Sequence, residues 1–265
     1  MTDYLEAVAY WRRMDIRTPG DLETVLDSFR VLFAYHSGKI ENERVTFEDT
    51  REIFSDGRVT GYTGDTRTIF EQQNQKLCYE FLVPKIIERT PLTEVLIQEI
   101  HRVLTSGTYD ERRYLVNGER PGEYKKHDYV TGIHEVGAAV EDVASEMREL
   151  LEEVNGYTGD NVLLPAAYLH ARFEYIHPFA DGNGRTGRTL LNYYLMTHGH
   201  PPIVIDSEDK RRYIEGLRTY DEQEDLQPLV TFLEEQTAKT WTRAVEMEKG
   251  TKPPKPRKRL DDHTR

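Results

Sequence analysis

Apolar positions recur every three or four residues along most of this chain, the repeat of helices that each turn one face to a core. Leu22, Val25, Leu26, Phe29, Leu32 and Phe33 form one stripe, and Ile133, Val136, Val140, Val143, Met147 and Leu150 form another. Further helices are expected around residues 66–90, 95–105, 162–174, 185–198, 208–220 and 227–247. Gly20-Asp21 opens the helix of the first stripe, with Asp21 as its N-cap. His198-Gly199-His200-Pro201-Pro202 closes another, with Gly where a C-cap is wanted and Pro beyond it.

Two stretches break the repeat. Residues 55–65 (SDGRVTGYTGD) are rich in Gly, Asp and Thr and read as a loop. Residues 117–132 (NGERPGEYKKHDYVTG) join turn signals to a short β-prone run, Tyr129-Val130-Thr131, and read as a hairpin. The segment from Lys249 onward is basic, proline-rich and aperiodic, which predicts a disordered tail. No repeat of solenoid length is present. The pattern therefore predicts a mainly α fold with one small β-hairpin.

Composition narrows the function classes. With 265 residues, 37% hydrophobic and 31% charged, the chain reads as a globular protein on the polar side, able to bury a sizeable core. A net charge of −12 argues against a general nucleic-acid binder, which needs a basic face for phosphates. The basic tail alone, at Lys249 to Arg259, reads as a solvated end or weak docking segment. The single cysteine, Cys78, excludes an internal disulfide and reads as a core residue. Residues 1–23 carry charges throughout and lack a leader-type apolar run, and no stretch approaches the roughly 20 apolar residues that cross a bilayer. A cytoplasmic location is the expectation.

The chemistry concentrates in HPFADGNGRTGR, residues 177–188. Gly182 and Gly184 let the backbone turn tightly and approach a ligand. They open directly into a helix, whose first N–H groups and positive dipole end suit phosphate, and Asn183 can add side-chain donors. Arg185 and Arg188 lie three apart, about 5–6 Å between Cβ atoms, where two guanidinium forks can grip adjacent phosphates. Asp181 is placed to hold Mg²⁺ together with phosphate oxygens. His177, with an unperturbed pKa of about 6.5, suits a general base. Singly, each residue is more often structural; no structural need calls for the whole set.

This motif resembles the signature of the Fic family, His-x-Phe-x-Asp/Glu-Gly/Ala-Asn-Gly/Lys-Arg-x-x-Arg, at every specified position. The similarity extends to Ala167 and His170 to Phe173 before it and to HGHPPIVIDSEDKRRYIEGL after it, over roughly residues 30–235. It implies a Fic-type helical core with a small β-hairpin flap, and protein adenylyltransferase activity: AMP moves from ATP to a Ser, Thr or Tyr hydroxyl of a target protein, with Mg²⁺ required and pyrophosphate released. In that reading His177 deprotonates the hydroxyl, Asp181 holds the metal and Phe179 anchors the loop. Gly182, Asn183, Gly184 and Arg185 bind the α- and β-phosphates and Arg188 the γ-phosphate, with Thr186 and Gly187 also in the nucleotide-binding site. Gly184 favours AMP transfer over the kinase-type chemistry associated with Lys there. The segment Gly122-Glu123-Tyr124-Lys125 resembles the flap, which would set Thr131, Gly132, Ile133 and His134 over the nucleotide. Tyr213 occupies an aromatic position near the base, and Asp221 stands where many relatives have Asn.

Upstream, Ser37-Gly38-Lys39-Ile40-Glu41-Asn42 resembles the family's inhibitory motif in its N-terminal version. That implies a short helix delivering Ser37 and Glu41 to Arg188, a bidentate carboxylate–guanidinium pair that keeps the γ-phosphate out. Three units follow: an N-terminal helical region with the inhibitory motif at 1–60, the catalytic core at 61–248 and the tail at 249–265. Removal of AMP, with Glu41 positioning a water, and non-catalytic nucleotide binding are the alternative functions, the second disfavoured by an intact His177. Self-modification and a homodimer are left open.

Overall fold

Residues 2–130 and 137–251 are described in the computed structural model of the chain. Short capping signals set its helix boundaries. Thr18 and Asp21 cap each other at the second helix, the Thr18 hydroxyl accepting from the Asp21 N–H and the Asp21 carboxylate from the Thr18 N–H. Thr2, Thr46, Asp65 and Thr93 cap four others. The N-terminal helices are α1 (Asp3–Arg13), α2 (Pro19–Val25), α3 (Asp27–Glu41) and α4 (Phe47–Asp56). The long α5 (Thr66–Ile87) and α6 (Glu94–Thr105) follow, then a π-helical turn at Arg112–Val116. The rest comprises α7 (Val143–Asn155), α8 (Leu163–Ile176), α9 (Asn183–Thr197), α10 (Lys210–Gln223) and α11 (Gln227–Thr251).

The centre of the molecule is α9. It packs against α8, α6, α5 and α3 and is buried on nearly every side, which an amphipathic surface helix never is. Leu190, Leu191 and Leu195 are fully buried on it. Polar residues of the same helix therefore need partners inside the protein. Asn192 shows the solution: it donates to the Ile203 carbonyl at 2.9 Å and accepts from the Ile203 N–H at 2.6 Å. The N-terminal helices enter the same core. Trp11 and Trp241 meet edge to face at 5.3 Å, Phe29 stacks on Trp241 at 6.4 Å, and the Trp241 indole donates to the Pro202 carbonyl at 2.8 Å.

Several expectations need correction. The first stripe is two helices, because the chain bends at Leu26, itself fully buried; Asp21 sits inside the first turn and Thr18 is the N-cap. The second stripe becomes helical only at Val143; Val140 precedes it in a turn, and Ile133 and Val136 lie outside the described residues. The expected loop at 55–65 begins with the last two residues of α4. No strand occurs among the described residues, so the hairpin is not supported. Around Gly122-Lys125 the backbone is satisfied singly: the Gly122 N–H donates to His101 and the Lys125 N–H to the Pro178 carbonyl at 2.9 Å. Helix α11 runs past Lys249 to Thr251, and residues 252–265 lie outside the described residues. Cys78 is buried, and burial pushes its thiol pKa up. No helix among the described residues is long and apolar enough to cross a membrane.

The aromatic cluster gives the first prediction. Trp11→Ala, truncating a side chain 6% exposed, should cost about 3–5 kcal/mol. Leu32→Ala, on α3 and 39% exposed, should cost less than about 1 kcal/mol. Chemical denaturation compares them; equal losses would mean that the N-terminal helices do not unfold with the core.

Candidate active site

The loop between α8 and α9 is fixed from below by its aromatic and amide side chains. His177 caps α8 with φ at +50°, uncommon for a residue with a Cβ, and its N–H reaches the Phe173 carbonyl at 3.0 Å. Phe179 is fully buried and lies flat on His101, ring centroids 3.6 Å apart. His101 itself bridges two segments. Its Nδ1 accepts from the Gly122 N–H at 2.8 Å, so in the neutral ring the proton sits on Nε2, which donates to the Asp181 carbonyl at 2.8 Å. Burial lowers its pKa to about 3, which keeps that ring neutral. Asn183 turns inward, donating to the Phe179 carbonyl at 2.7 Å and accepting from the Phe179 N–H at 3.0 Å. Its amide thus holds the loop's shape rather than adding donors to a cradle. Gly182, at φ +79°, starts α9; a Cβ there would lie 2.4 Å from Thr105 Cγ2.

Above this base opens a cavity of about 500 Å³. His177, Asp181, Gly182, Gly184 and Arg185 line one side, and Arg67, Glu71, Arg113 and Glu41 line the other. Helix α9 has no side-chain cap, so its first N–H groups are left for a ligand or water. Burial lowers the His177 pKa to about 4, against a smaller upward push from its hydrogen bond with the Glu174 backbone. At neutral pH the ring is uncharged and can accept a proton. Arg185 is 3% exposed; it stands 3.3 Å from Glu71 and 3.8 Å from Asp181, and its Nε and Nη1 make no hydrogen bond. An ionised fork held inside a cavity with donors unmet is suited to an anion. Asp181 also pairs with Arg67 at 2.6 Å. No group of three or more His, Cys, Asp or Glu able to hold a metal occurs among the described residues. A lone carboxylate beside an anion site still fits Mg²⁺, which is commonly bound by one or two carboxylates with substrate phosphates and waters.

Arg188 faces the other way, into α3. Only 2% exposed, it donates from Nε to the Ser37 hydroxyl at 3.0 Å, and from Nη2 to the Ser37 carbonyl at 3.0 Å and to Glu41 Oε1 at 2.7 Å. The expected bidentate carboxylate pair is therefore shared: Ser37 supplies two of the three contacts and Glu41 one. Gly184 permits the approach, since a Cβ there would lie 2.3 Å from Glu41 Oε1. Burial pushes the Glu41 pKa up, but the Arg188 charge and hydrogen bond outweigh it and the net direction is down. Its outer side stays open to the cavity, the side chain being 42% exposed. Behind Arg188 lie two further ionisable groups. His170, lowered to about 3 by burial, contacts the Tyr213 hydroxyl at 2.7 Å. Burial raises the Glu174 pKa to about 8, and its Oε1 has no hydrogen-bond partner.

Among the described residues, the other expected ones do not line this cavity. Tyr213 is 1% exposed against His170 and Phe232 and does not line the cavity. Asp221 lines a separate open cavity of about 450 Å³ with Tyr168, Arg172, Tyr175 and Tyr220. Thr186 and Gly187 are buried in α9, and Thr131, Gly132, Ile133 and His134 lie outside the described residues.

The sequence and the fold both have counterparts among known proteins. The Fic/DOC family matches residues 91–195, which include the whole loop. A Fic domain-containing signaling protein from Bacteroides thetaiotaomicron superposes with a TM-score of 0.79 at 27% identity, over 94% of this chain and 97% of that one. Residues 91–195 form a Fic/DOC domain. A fragment of Fic-1 from C. elegans has the same fold, with a TM-score of 0.76 at 23% identity, over 94% of this chain and 73% of the fragment. Among curated Fic relatives, "Protein adenylyltransferase Fic" of Drosophila persimilis is 29% identical over 78% of this chain. That of Drosophila yakuba is 30% identical over 78%. The chain spans only about two-fifths of the length of these Drosophila proteins, 39% and 40%.

Nothing in the sequence pattern singles out Arg67, Glu71, His101 or Arg113. Each is a single letter far from the motif; only their contacts mark them. Arg113 donates to the Ala180 carbonyl at 3.2 Å.

The depressed Glu41 pKa predicts a pH dependence of stability. Its stabilising contribution is present above the ordinary value of 4.5 and is lost as pH falls through the lowered folded value. Wild type should therefore unfold at a higher temperature than Glu41→Gln at pH 7, and the gap should close below pH 4.5. A gap that stays constant from pH 7 down to about 3 would show that the Glu41 charge does not contribute.

Proposed function

We propose that this chain is a protein adenylyltransferase. A target hydroxyl oxygen attacks the α-phosphorus of ATP, the bond from that phosphorus to the α–β bridging oxygen breaks, and pyrophosphate leaves with the bonding electrons. His177 takes the hydroxyl proton. The observation that carries this reading is one cavity joining a neutral His177 to an unmet Arg185 fork and an uncapped helix N-terminus. The base and the anion site thus share one face, as an attack beside a bound polyphosphate requires. Asp181 would hold Mg²⁺, which when bound offsets charge on the phosphates. The Drosophila relatives named as adenylyltransferases support the same activity.

Regulation is part of the proposal. Arg188 would grip the outer phosphate, but Ser37 and Glu41 already occupy its donors. ATP then enters without the alignment that transfer needs, and misorientation alone lowers rate by orders of magnitude. Glu41 therefore acts as an inhibitory residue.

Incubation with α-labelled ATP and Mg²⁺, reading label on protein, tests this. Glu41→Gly should incorporate on the order of tenfold more label than wild type, and Glu41→Gly with His177→Ala none. Equal labelling by wild type and Glu41→Gly ends the inhibition claim; full labelling without His177 ends the mechanism. For Glu41→Gly, kcat/KM should be flat from about pH 6 to 8 and fall only on the acid side, toward the His177 value of about 4. Loss of Glu41 removes a charge that raises this pKa, so the acid limb moves no closer to neutrality. An acid limb at about pH 6.5, the value of a solvated histidine, would count against the buried His177 as the base.

A further inference from the structure

Asp181 is not waiting free in the cavity. Its Oδ2 accepts from Arg67 Nη2 at 2.6 Å, the tightest ion pair it makes, while Arg185 stands off at 3.8 Å from Oδ1. Arg67 comes from the first turn of α5, and its Nε is tied at 2.9 Å to Glu71, one helical turn on. Glu71 lies 3.3 Å from Arg185 in turn. Arg67, Asp181, Arg185 and Glu71 thus close an alternating ring of two positive and two negative charges. The Arg67 side chain is 36% exposed on the cavity wall, whereas Arg185 is buried.

We propose that Arg67 is a positioning residue that acts as a resident counter-cation for Asp181 and competes with the divalent metal for it. The inference rests on the assignment of Asp181 as the metal-holding carboxylate. The guanidinium holds Asp181 aimed into the cavity and offsets its charge, and so weakens its hold on a bare dication. Adding a dication to a ring that is already neutral leaves two uncompensated charges in a partly enclosed site. A polyphosphate entering with the metal supplies the missing negative charge, and Arg67 then gives up one contact. The bond to Glu71 keeps it on the wall, so it pivots rather than swings away. Metal binding is thereby coupled to nucleotide binding by reciprocal linkage.

Mn²⁺ binding followed by electron paramagnetic resonance, with and without the non-transferable α,β-methylene analogue of ATP, tests this apart from catalysis. Arg67→Gln should bind Mn²⁺ without nucleotide on the order of tenfold more tightly than wild type, the competing charge being gone. Its affinity gain from the analogue should shrink correspondingly. Arg67→Lys keeps the charge and should stay within about threefold of wild type, which separates charge competition from a loosened loop. Asp181→Asn should abolish the site in both backgrounds. Unchanged or weaker Mn²⁺ binding by Arg67→Gln, with Asp181→Asn still abolishing it, overturns the proposal and leaves the metal assignment standing. Undiminished Mn²⁺ binding by Asp181→Asn overturns the assignment itself.

Discussion

A guanidinium buried in the middle of a helical core constrains everything around it. Arg188 is 2% exposed on the most enclosed helix of the molecule, and an uncompensated charge there would be strongly destabilising. Its partners have to come from another element at hydrogen-bonding range, and α3 provides them through Ser37 and Glu41. The requirement propagates outward. Where α3 meets α9, Gly184 leaves room for the Glu41 carboxylate, and α3 turns Phe29, Ala34, Ser37, Gly38 and Ile40 inward. Phe29 and Ile40 then join the core that Trp11 and Trp241 complete.

Against that constraint, the loop and the cavity above it are built by opposite rules. In the loop and beneath it, buried polar groups are matched: His101 on α6 is bonded through both ring nitrogens and Asn183 grips a single residue through both amide atoms. On the cavity side, Arg185 keeps two nitrogens without hydrogen bonds. Buried polar atoms are nearly always satisfied in native proteins, and the proposed nucleotide site would complete the bonding of this guanidinium.

The sequence was legible where local rules decide. The 3.6-residue repeat located most helices, and the loop could be read as a set because its residues are contiguous. The stripe from Leu22 to Phe33 misled because periodicity is blind to a bend at a residue, Leu26, that stays buried through it. The stripe beginning at Ile133 misled in another way: its apolar spacing continues a register that the backbone adopts only from Val143. The expected hairpin rests on turn residues and one β-prone run, while the backbone of Gly122 and Lys125 finds partners in a side chain and a loop carbonyl. The ring around Asp181 could not be read at all. Arg67 and Asp181 are separated by 114 positions, and nothing local distinguishes that arginine from a solvated one.

The position of Glu41 within α3 has a consequence for time scale. Ser37 and Ile40 are set in the core, at 2% and 4% exposure, so withdrawing them means unseating a packed helix. Glu41 is the last residue of that helix, its side chain 42% exposed, and it reaches Arg188 through one carboxylate oxygen. Collective shifts of packed helices take microseconds to milliseconds, whereas an exposed side chain changes rotamer in picoseconds to nanoseconds. In the proposed mechanism, the outer edge of Arg188 would therefore trade one anion for another by torsions at a helix end, with the scaffold beneath it standing still.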